Sequence, residues 1–403
     1  MRILLIVVYY LPNAKSSAKL IHDLADEFCR LGHAVTVLAP DAGLASDSEF
    51  SREGGIDVLR IRTGKIDGAS KVVRLYNEAR LSAVLWRKGE KFFQNNKFDL
   101  IVWYSPSIFF GLLVKKLKNL FGCSSYLILR DIFPQWAIDI GVLKEGVLSR
   151  FFRRREIEQY EAADMIGVQS PGELASFLKN NPREQHRLEV LYNWTKLDEM
   201  NVPACNYRER FGLKGKVVFF YGGNIGVAQD MDNIIRLAES LADEPEAYFL
   251  LVGDGSEVAR LKKIISDKKL TNIAIYGAVD QQRYLAMVAE FDVGLISLDR
   301  KFKTPNFPGK MLSYMGNSIP ILASVNRGND LKEIVEEKLA GLVSINGDDV
   351  QFRANALRLI KDGGLRRQLG ANARGLLESN FAVSKAAGQI LAHFKKLDRN
   401  AAN

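Results

Sequence analysis

The sequence predicts an α/β protein with two parallel-sheet domains in tandem. Short β-branched runs alternate with stretches of helical length along the chain, and most runs are continuously apolar, as parallel strands covered on both faces are. The alternation stops over residues 195–214, where proline, asparagine and clustered charges interrupt it, and then restarts. The chain has 403 residues, 47% of them hydrophobic, which suffices for two packed cores. We therefore expect two Rossmann-like, doubly wound domains that face a cleft.

The first domain is expected over residues 1–200. Its apolar runs predict seven strands, at 2–8, 34–39, 57–62, 99–104, 125–130, 164–168 and 188–192. Between the first two strands, Ser17 to Leu31 predicts a helix, and Gly32 follows where a C-cap residue is favoured. The apolar face of this helix comprises Leu20, Ile21, Leu24, Phe28 and Leu31.

The second domain is expected over residues 207–380. Its predicted strands are 216–222, 248–252, 272–276, 292–297, 319–324 and 340–345. A last helix is predicted near 383–398, and its segment, 381–403, can pack on either domain, including back on the first. The apolar side of that helix comprises Ala387, Ile390, Leu391, Phe394 and Leu397. Ligands of such sheets bind beyond the carboxyl ends of the strands, so the loops after residues 8, 104, 130, 222, 252, 276 and 297 are candidate sites.

Positive charge is concentrated in one stretch of the chain. The 56 Lys and Arg exceed the 47 Asp and Glu by 9, but residues 60–155 alone carry 19 against 7, an excess of 12. No nucleic-acid-binding signature accompanies this excess, so we expect no nucleic-acid partner. An anionic membrane surface or a phosphorylated ligand fits the charge better.

The cysteines and the apolar runs limit the class of protein further. Three widely spaced cysteines argue against a disulfide framework and a zinc site, so we expect no metal and a reducing, cytoplasmic compartment. No apolar run reaches the length of a membrane-spanning helix. The apolar start, Met1 to Val8, has no cleavage-site pattern and is predicted to be a buried strand rather than a secretory signal.

Ordered motifs in both halves resemble one enzyme family. In the second half these are Phe220-Tyr221-Gly222-Gly223-Asn224-Ile225-Gly226, Leu251-Val252-Gly253-Asp254-Gly255, Ile275-Tyr276-Gly277-Ala278-Val279, Asp292-Val293-Gly294-Leu295 and Gly370-Ala371-Asn372-Ala373-Arg374. In the first half they are Tyr10-Leu11-Pro12, the stretch Leu31 to Val37, Arg130-Asp131-Ile132-Phe133-Pro134 and Ala163-Asp164. This pattern resembles glycosyltransferase family 4, also called glycosyl transferases group 1, over nearly the whole chain, which implies the GT-B fold.

The stretches Arg130 to Pro134 and Asn306 to Met315 most resemble bacterial enzymes of O-antigen or capsule assembly, particularly N-acetyl-L-fucosamine transferases. The resemblance implies a metal-independent transferase without a cofactor. It implies transfer from a nucleoside-diphosphate sugar, taken as a UDP-sugar, with retention at the anomeric carbon. The implied acceptor is a lipid-linked sugar such as undecaprenyl-diphosphate sugar, which implies a peripheral position on the cytoplasmic face of the inner membrane.

The donor site is expected on loops of the second half. Glycine loops that lead into helices can hold a diphosphate through backbone N–H groups, and the loop with Gly222, Gly223 and Asn224 fits this pattern. Relatives carry an Arg and a Lys where this chain has Asn224 and Gln229, so the phosphate charge must be met elsewhere. The candidates are Arg300, Lys301, Lys303 and, above all, Lys310, which would open a helix over 309–316. The further donor contacts implied are Gly277, Ala278, Phe307, Pro308, Gly309 and Ser313.

The largest departure from the family concerns its two glutamates. Alignment on Phe307 puts Pro305 and Ser313 at the positions where relatives bind the donor sugar and the ribose. Either the subfamily recognises its donor differently, or the chain is a catalytically silent homologue that acts as a binding partner in a transferase complex. A nucleotide-sugar epimerase of the same fold is a third alternative, but the histidine and acidic residues expected of one are missing.

The acceptor side is expected around Asp131, which follows a predicted strand that ends in Arg130. In a retaining front-face mechanism the leaving phosphate can accept the acceptor's proton, so Asp131 can orient a hydroxyl without acting as a base. Lys15 and Ser16, on the first βα loop, could reach the donor diphosphate. The four histidines (His22, His33, His186 and His393) are interpreted as structural.

Membrane contact has a sequence signal of its own. Apolar residues fall within one arc of a helical wheel while Lys115 and Lys116 lie outside it, and Arg153 to Arg155 form a second basic cluster after Phe151 and Phe152. Trp86, Arg87 and Lys88 also suit an interface. The apolar arc comprises Phe109, Phe110, Leu113, Leu117, Leu120 and Phe121, and the alternative is that it packs on the sheet.

Overall fold

A computed structural model describes residues 1–13, 15–139, 143–197, 205–301 and 307–400. The chain forms two compact units, one of Met1–Asn193 with Val383–Asn403 and one of Trp194–Ala382. The division falls after Asn193, a few residues before the boundary that the sequence analysis gives, and the last helix belongs to the first unit.

The first unit contains an eight-stranded sheet in the order β3-β4-β2-β1-β5-β6-β7-β8. All its strand pairs are parallel except β3 with β4. The strands are β1 Arg2–Ile6, β2 Ala34–Asp41, β3 Ser48–Glu53, β4 Ile56–Arg62, β5 Leu100–Ser105, β6 Ser124–Leu129, β7 Met165–Val168 and β8 Leu188–Val190. The helices are α1 Ser16–Arg30, α2 Lys71–Ala79, α3 Leu81–Asn95, α4 Gly111–Phe121, α5 Gln135–Asp139, α6 Val147–Ala162, α7 Pro171–Asn180 and α16 Val383–Asn400.

The second unit contains a parallel six-stranded sheet in the order β11-β10-β9-β12-β13-β14. Its strands are β9 Val217–Gly222, β10 Ala247–Val252, β11 Ile273–Tyr276, β12 Val293–Ser297, β13 Ile321–Val325 and β14 Gly341–Ile345. Its helices are α8 Tyr207–Arg210, α9 Met231–Ser240, α10 Val258–Asp267, α11 Gln281–Val288, α12 Lys310–Gly316, α13 Asp330–Glu337, α14 Asp349–Lys361 and α15 Gly363–Leu376. The expectation of two doubly wound α/β sheets is confirmed.

One strand of the first sheet was not predicted from the sequence. All thirteen predicted strands are present, but β3 is an additional edge strand that pairs antiparallel with β4. Its six residues, Ser-Glu-Phe-Ser-Arg-Glu, contain one apolar side chain and are mostly exposed. An edge strand held by backbone hydrogen bonds to one neighbour needs no apolar face, so the hydrophobic pattern gives no signal for it.

The helix α1 follows its predicted apolar face with one correction. Ile21, Leu24 and Phe28 are fully buried, whereas Leu31 is 43% exposed because it lies one residue beyond the end of the helix. Gly32 adopts a φ of +83°, the left-handed conformation that favours glycine after a helix.

The apolar arc predicted for membrane contact is part of the core instead. Phe110, Leu113 and Leu117 are fully buried and Phe121 nearly so, and all four belong to the main core of the first unit. Leu120, the remaining member on α4, is exposed. Within the described ranges, no helix combines the length and apolar character needed to cross a membrane.

A buried carboxyl on α6 generates a stability prediction. Glu156 is 8% exposed, and burial raises its pKa to about 7, although it accepts a 2.8 Å hydrogen bond from the Tyr160 hydroxyl and lies near the positive charge of Arg153. The unfolded chain loses this proton near pH 4.5, so the folded state binds more protons between about pH 4.5 and 7 and stability falls over that window. The cost is fully present above pH 7.

We expect Glu156→Gln to stabilise the protein at pH 8 by on the order of 2 kcal/mol and to change little at pH 4, since glutamine keeps an acceptor for Tyr160 but carries no charge. Urea unfolding across this pH range measures the difference. The exposed Glu161→Gln on the same helix serves as control and should show no such growth with pH. Equal stability of the Glu156→Gln variant and the unaltered protein at pH 8 would contradict the prediction.

Candidate donor and acceptor sites

The predicted phosphate loop follows β9, the strand between β10 and β12. Gly223 has a φ of +122°, and its amide donates a 2.9 Å hydrogen bond to the Val252 carbonyl at the end of β10. A Cβ on Gly253 would lie 1.8 Å from the Gly223 carbonyl oxygen. The two glycine loops therefore pack backbone against backbone, and side chains at these positions would force them apart.

Two tyrosines fix the end of β9. A Cβ on Gly222 would lie 2.2 Å from the ring of Tyr284, which fills that space. The hydroxyl of Tyr314 accepts a 3.2 Å hydrogen bond from the Gly222 amide and donates one of 3.2 Å to the Leu295 carbonyl on β12. The backbone at Gly222 is thus held in one position by both neighbouring elements.

Lys310 meets this loop from the start of α12. Its Nζ lies 3.5 Å from the centroid of the Tyr221 ring and 3.7 Å from the position of a Cβ on Gly223. A ring face attracts a cation without neutralising it. Among the described residues no carboxylate lies within ion-pair distance of Lys310.

Loss of hydration lowers the pKa of Lys310 to about 7. The ammonium is therefore partly deprotonated at neutral pH in the free protein. An anion placed beside it would restore a high pKa, so binding of an anion there would take up a proton. The geometry suits a phosphate group close to Gly223.

Ser313 lies one turn after Lys310 and supports it. Its hydroxyl donates a 2.7 Å hydrogen bond to the Lys310 carbonyl and lies 2.8 Å from the hydroxyl of Tyr284. The side chain is 7% exposed. These contacts place Ser313 in the packing of α12 against α11, with its hydroxyl engaged within the second unit.

Asn224 and Gln229, at the positions where the family resemblance implies two cations, form a neutral pair. The Asn224 amide donates to Gln229 Oε1 at 3.2 Å, and the Gly226 amide donates to the same oxygen at 3.2 Å. These two hydrogen bonds join residues of the same loop, so both side chains are engaged within it. Lys310 is consequently the predicted cation that the structure brings to the glycine loop.

The other predicted donor residues are more dispersed. Lys301, after β12, is exposed and its amide bonds to the Asp299 carboxylate at 2.8 Å, while Arg300 is exposed near Gly347. Gly277 and Ala278 are exposed after β11. Lys303 and Pro305 lie outside the described residues.

Three further predicted donor residues directly precede α12. Phe307 is buried against Phe381, with ring centroids 6.0 Å apart. Pro308 is partly buried, and Gly309 is the exposed residue that precedes the helix.

In the first unit, Lys15 already has an anionic partner. It precedes α1, and its Nζ lies 2.7 Å from the Asp67 carboxylate and 3.7 Å from the centroid of the Tyr9 ring. Ser16 is the first residue of α1, and nothing is described of its side chain. The ammonium group of Lys15, which the sequence analysis proposed as a diphosphate contact, thus forms an ion pair with Asp67.

Arg130 and Asp131 lie at the carboxyl end of β6 but differ in environment. Arg130 is buried, and its guanidinium donates to Asn193 Oδ1 at 2.7 Å, to the Leu191 carbonyl at 2.9 Å and to the Gly167 carbonyl at 3.2 Å. It joins β6, β7 and the end of β8, which is a structural role. Asp131 is exposed, and partial loss of hydration raises its pKa. Lys15 lies in the loop that follows β1, and β5 separates β1 from β6 in the sheet.

The sequence analysis missed the tyrosines that build the Lys310 environment. Tyr221 stands in a quoted motif but carries no charge or glycine that marks a site, and Tyr284 and Tyr314 fall on helical patterns typical of core residues. Three of the histidines bond within the protein: His22 to Tyr10, His33 to the amino terminus and His393 to Glu189.

Comparisons with known proteins identify the relatives of the chain. The family described as Glycosyltransferase Family 4 matches residues 17–199, and the one described as Glycosyl transferases group 1 matches residues 206–376. The protein "Probable glycosyltransferase WbjE" of Pseudomonas aeruginosa is 26% identical over 273 residues, 66% of each chain. The chain spans two thirds or less of the length of the curated relatives it matches.

Solved structures share the fold over nearly the whole chain. Anabaena HepE, solved in complex with UDP-glucose, has a TM-score of 0.66 at 15% identity and covers 98% of this chain and 100% of its own. WaaG, a glycosyltransferase involved in lipopolysaccharide biosynthesis, has a TM-score of 0.60 at 15% identity, covering 96% of this chain and 99% of its own. The fold is GT-B. With both units matched by their respective family models, the chain belongs to the group 1, family 4 glycosyltransferases.

Proposed function

We propose that the protein is a retaining glycosyltransferase that moves a sugar from a nucleoside-diphosphate donor to a lipid-linked sugar in O-antigen or capsule assembly. The observation that carries the proposal is Lys310, a desolvated cation without a carboxylate partner among the described residues, beside the loop at Gly223. Family membership of both units supports it.

The donor diphosphate is proposed to lie against Lys310. When the bond from the anomeric carbon to the phosphate oxygen breaks, negative charge develops on the leaving diphosphate, and a preorganised ammonium stabilises it. Lys310 would thus supply locally the charge compensation that Asn224 and Gln229 cannot. No metal or cofactor enters the proposed reaction.

UDP is the proposed nucleotide, and N-acetyl-L-fucosamine is the proposed sugar. The UDP proposal draws on HepE, whose structure contains UDP-glucose and shares this fold. The sugar proposal draws on the Arg130–Pro134 and Asn306–Met315 stretches described above. The involvement in surface polysaccharide assembly draws on the same stretches and on the likeness to WaaG, which acts in lipopolysaccharide biosynthesis.

Asp131 is proposed to orient the acceptor hydroxyl. In a front-face reaction the hydroxyl oxygen forms its bond to the anomeric carbon on the side from which the diphosphate leaves, and the hydroxyl proton passes to the leaving phosphate oxygen. A carboxylate that accepts a hydrogen bond from the hydroxyl holds it in line for this step. Asp131 needs to take no proton in this scheme.

A silent binding partner is the second candidate function. The internal hydrogen bonds of Ser313 favour it, because the residue at the position of the ribose-binding glutamate is engaged within the protein. Such a homologue would bind a nucleotide sugar through Lys310 but turn none over. Release of UDP from a panel of UDP-sugars in the presence of an extract of undecaprenyl-linked acceptors separates the two functions.

For donor binding we expect Lys310→Met to weaken the affinity for UDP-glucose about tenfold or more at pH 6, since a charge-assisted contact to phosphate is lost. In the unaltered protein the affinity should fall as the pH rises above about 7, by at most about tenfold per pH unit, because binding takes up a proton at Lys310. Isothermal titration calorimetry at several pH values measures both effects.

The exposed Lys262→Met, also in the second unit, is the matched control and should keep the affinity and the pH dependence of the unaltered protein. The donor proposal fails if Lys310→Met binds UDP-glucose as tightly as the unaltered protein, or if the affinity shows no pH dependence.

For turnover we expect Asp131→Asn to lower kcat on the order of tenfold to a hundredfold, because a weaker acceptor positions the hydroxyl less well, with unchanged affinity for UDP-glucose. Steady-state rates of UDP release, with calorimetry of donor binding in parallel, measure this. Asp243→Asn, an exposed substitution in the second unit, is the control. Full activity of the Asp131→Asn variant would remove Asp131 from the mechanism.

A further inference from the structure

We propose that the exposed faces of α2 and α6, together with Leu112 of α4, dock on an anionic lipid membrane. This docking face comprises Val72, Val73, Tyr76, Leu112, Val147, Leu148, Arg150, Arg154 and Ile157. The inference rests on the proposed function and deepens it. An acceptor that is carried by a lipid requires the protein to work at a membrane.

Exposed apolar side chains are concentrated on these helices. Of the fourteen large hydrophobic residues that are exposed among those described, eight lie on α2, α4 and α6, which make up about a tenth of the chain. Val72 and Val147 are 78% and 79% exposed, so neither side chain contributes much to the packing of the core. Single exposed hydrophobics are ordinary, but this clustering is typical of an interaction surface.

A small core joins α2 and α6 to the acceptor loop. Leu75 of α2 and Phe152 of α6 pack on one cluster with Phe109 and Phe133. The Phe133 and Phe152 rings lie 4.8 Å apart, centroid to centroid. Since Phe133 is two residues from Asp131, the cluster connects the docking face to the proposed acceptor residue within the first unit.

The helices α4 and α6 present their outer sides as one surface. A Cβ on Gly111 would lie 2.7 Å from the backbone nitrogen of Gln159, so the two helices cross in close contact. Leu112 and Ile157 line a shared depression of about 460 Å³ with cationic residues around it. The lining residues are Leu112, Lys115, Arg150, Arg153, Arg154, Ile157, Glu158 and Glu161.

Charge favours anionic lipid as the occupant. The lining carries four cations against two carboxylates, a net charge of +2, and all four cations lie within the stretch of the sequence that holds the basic excess. The Arg150 guanidinium donates to the Gly146 carbonyl at 3.3 Å and meets no carboxylate among the described residues. Long basic side chains can lay their stems on apolar groups while their charged ends reach headgroups.

Aliphatic side chains interleaved with arginines suit a bilayer interface better than a nucleic acid. A nucleic-acid surface would offer polar or aromatic groups to bases, whereas Val147, Leu148 and Ile157 can only gain by leaving water. Insertion of these side chains between headgroups would hold the Asp131 loop near the membrane, where lipid-linked acceptors diffuse.

The test is sedimentation of the full chain with vesicles made of equal parts phosphatidylglycerol and phosphatidylcholine, or of phosphatidylcholine alone. We expect binding to the anionic vesicles that weakens with salt, and much weaker binding to neutral ones. Val147→Asp with Leu148→Asp should reduce the partition coefficient about tenfold or more, and Arg150→Glu with Arg154→Glu should do likewise. Acidic residues at 147, 148 and 150, in the first turn of α6, suit its N-terminus. Arg154→Glu removes the ion pair of an exposed arginine with Glu158, 3.4 Å long, which contributes little to stability, so folding should persist, as circular dichroism checks.

The controls carry the same changes elsewhere: Val350→Asp, where valine is 82% exposed, and Arg327→Glu, both in the second unit. They should bind vesicles like the unaltered protein. Absence of binding to anionic vesicles, or unaltered binding by both double variants, overturns the inference.

Calorimetry with UDP-glucose separates this result from the proposed function. The double variants should bind the nucleotide sugar normally. Loss of vesicle binding only in the docking-face variants supports the inference even if no nucleotide binds, in which case the proposed function fails alone. Normal nucleotide binding by a protein that ignores anionic vesicles overturns the docking face alone.

Discussion

The candidate donor site of the second unit depends on placing one ammonium group beside one glycine loop without a countercharge among the described residues. Lys310 faces the ring of Tyr221 and the backbone at Gly223, and this environment lowers its pKa to about 7. A desolvated cation costs free energy in the absence of an anion, and that cost is recovered when an anion arrives. The neighbouring residues are explained most simply as supports that keep this group in place.

Those supports come from four different strands and helices. Gly222 admits the Tyr284 ring, Tyr314 ties β9 to β12, and Ser313 links the Lys310 carbonyl to Tyr284. The close backbone contact between Gly223 and Gly253 fixes the position of the glycine loop after β9. A side chain at either glycine or loss of the tyrosine hydroxyls would therefore shift the loop relative to the ammonium, although none of these groups need touch a ligand.

The sequence was sufficient to predict the sheets and to single out Lys310 as a candidate, and insufficient to predict the partners of each candidate site residue. Continuous apolar runs mark buried parallel strands whatever they pack against, so thirteen strands were predictable, while the polar edge strand β3 was not. Position at the start of a helix after a strand made Lys310 a candidate. Nothing in the sequence indicates that Asp67 engages Lys15, that Arg130 donates to β7 and to the segment after β8, or that Ser313 bonds to Tyr284, because those contacts join residues far apart in the chain.

The sequence pattern interpreted as a membrane-binding helix was also insufficient, because it does not reveal what the helix packs against. A helical wheel identifies an apolar face but does not say whether that face meets a sheet or a bilayer. On α4 the apolar arc is core, as the burial of Phe110, Leu113 and Leu117 shows. The apolar side chains that remain exposed, and are therefore proposed for the membrane, include Val147 and Ile157, on a helix in which seven of sixteen residues are charged. An interfacial helix needs few apolar side chains when cations flank them, so the more polar helix is the better candidate for the bilayer.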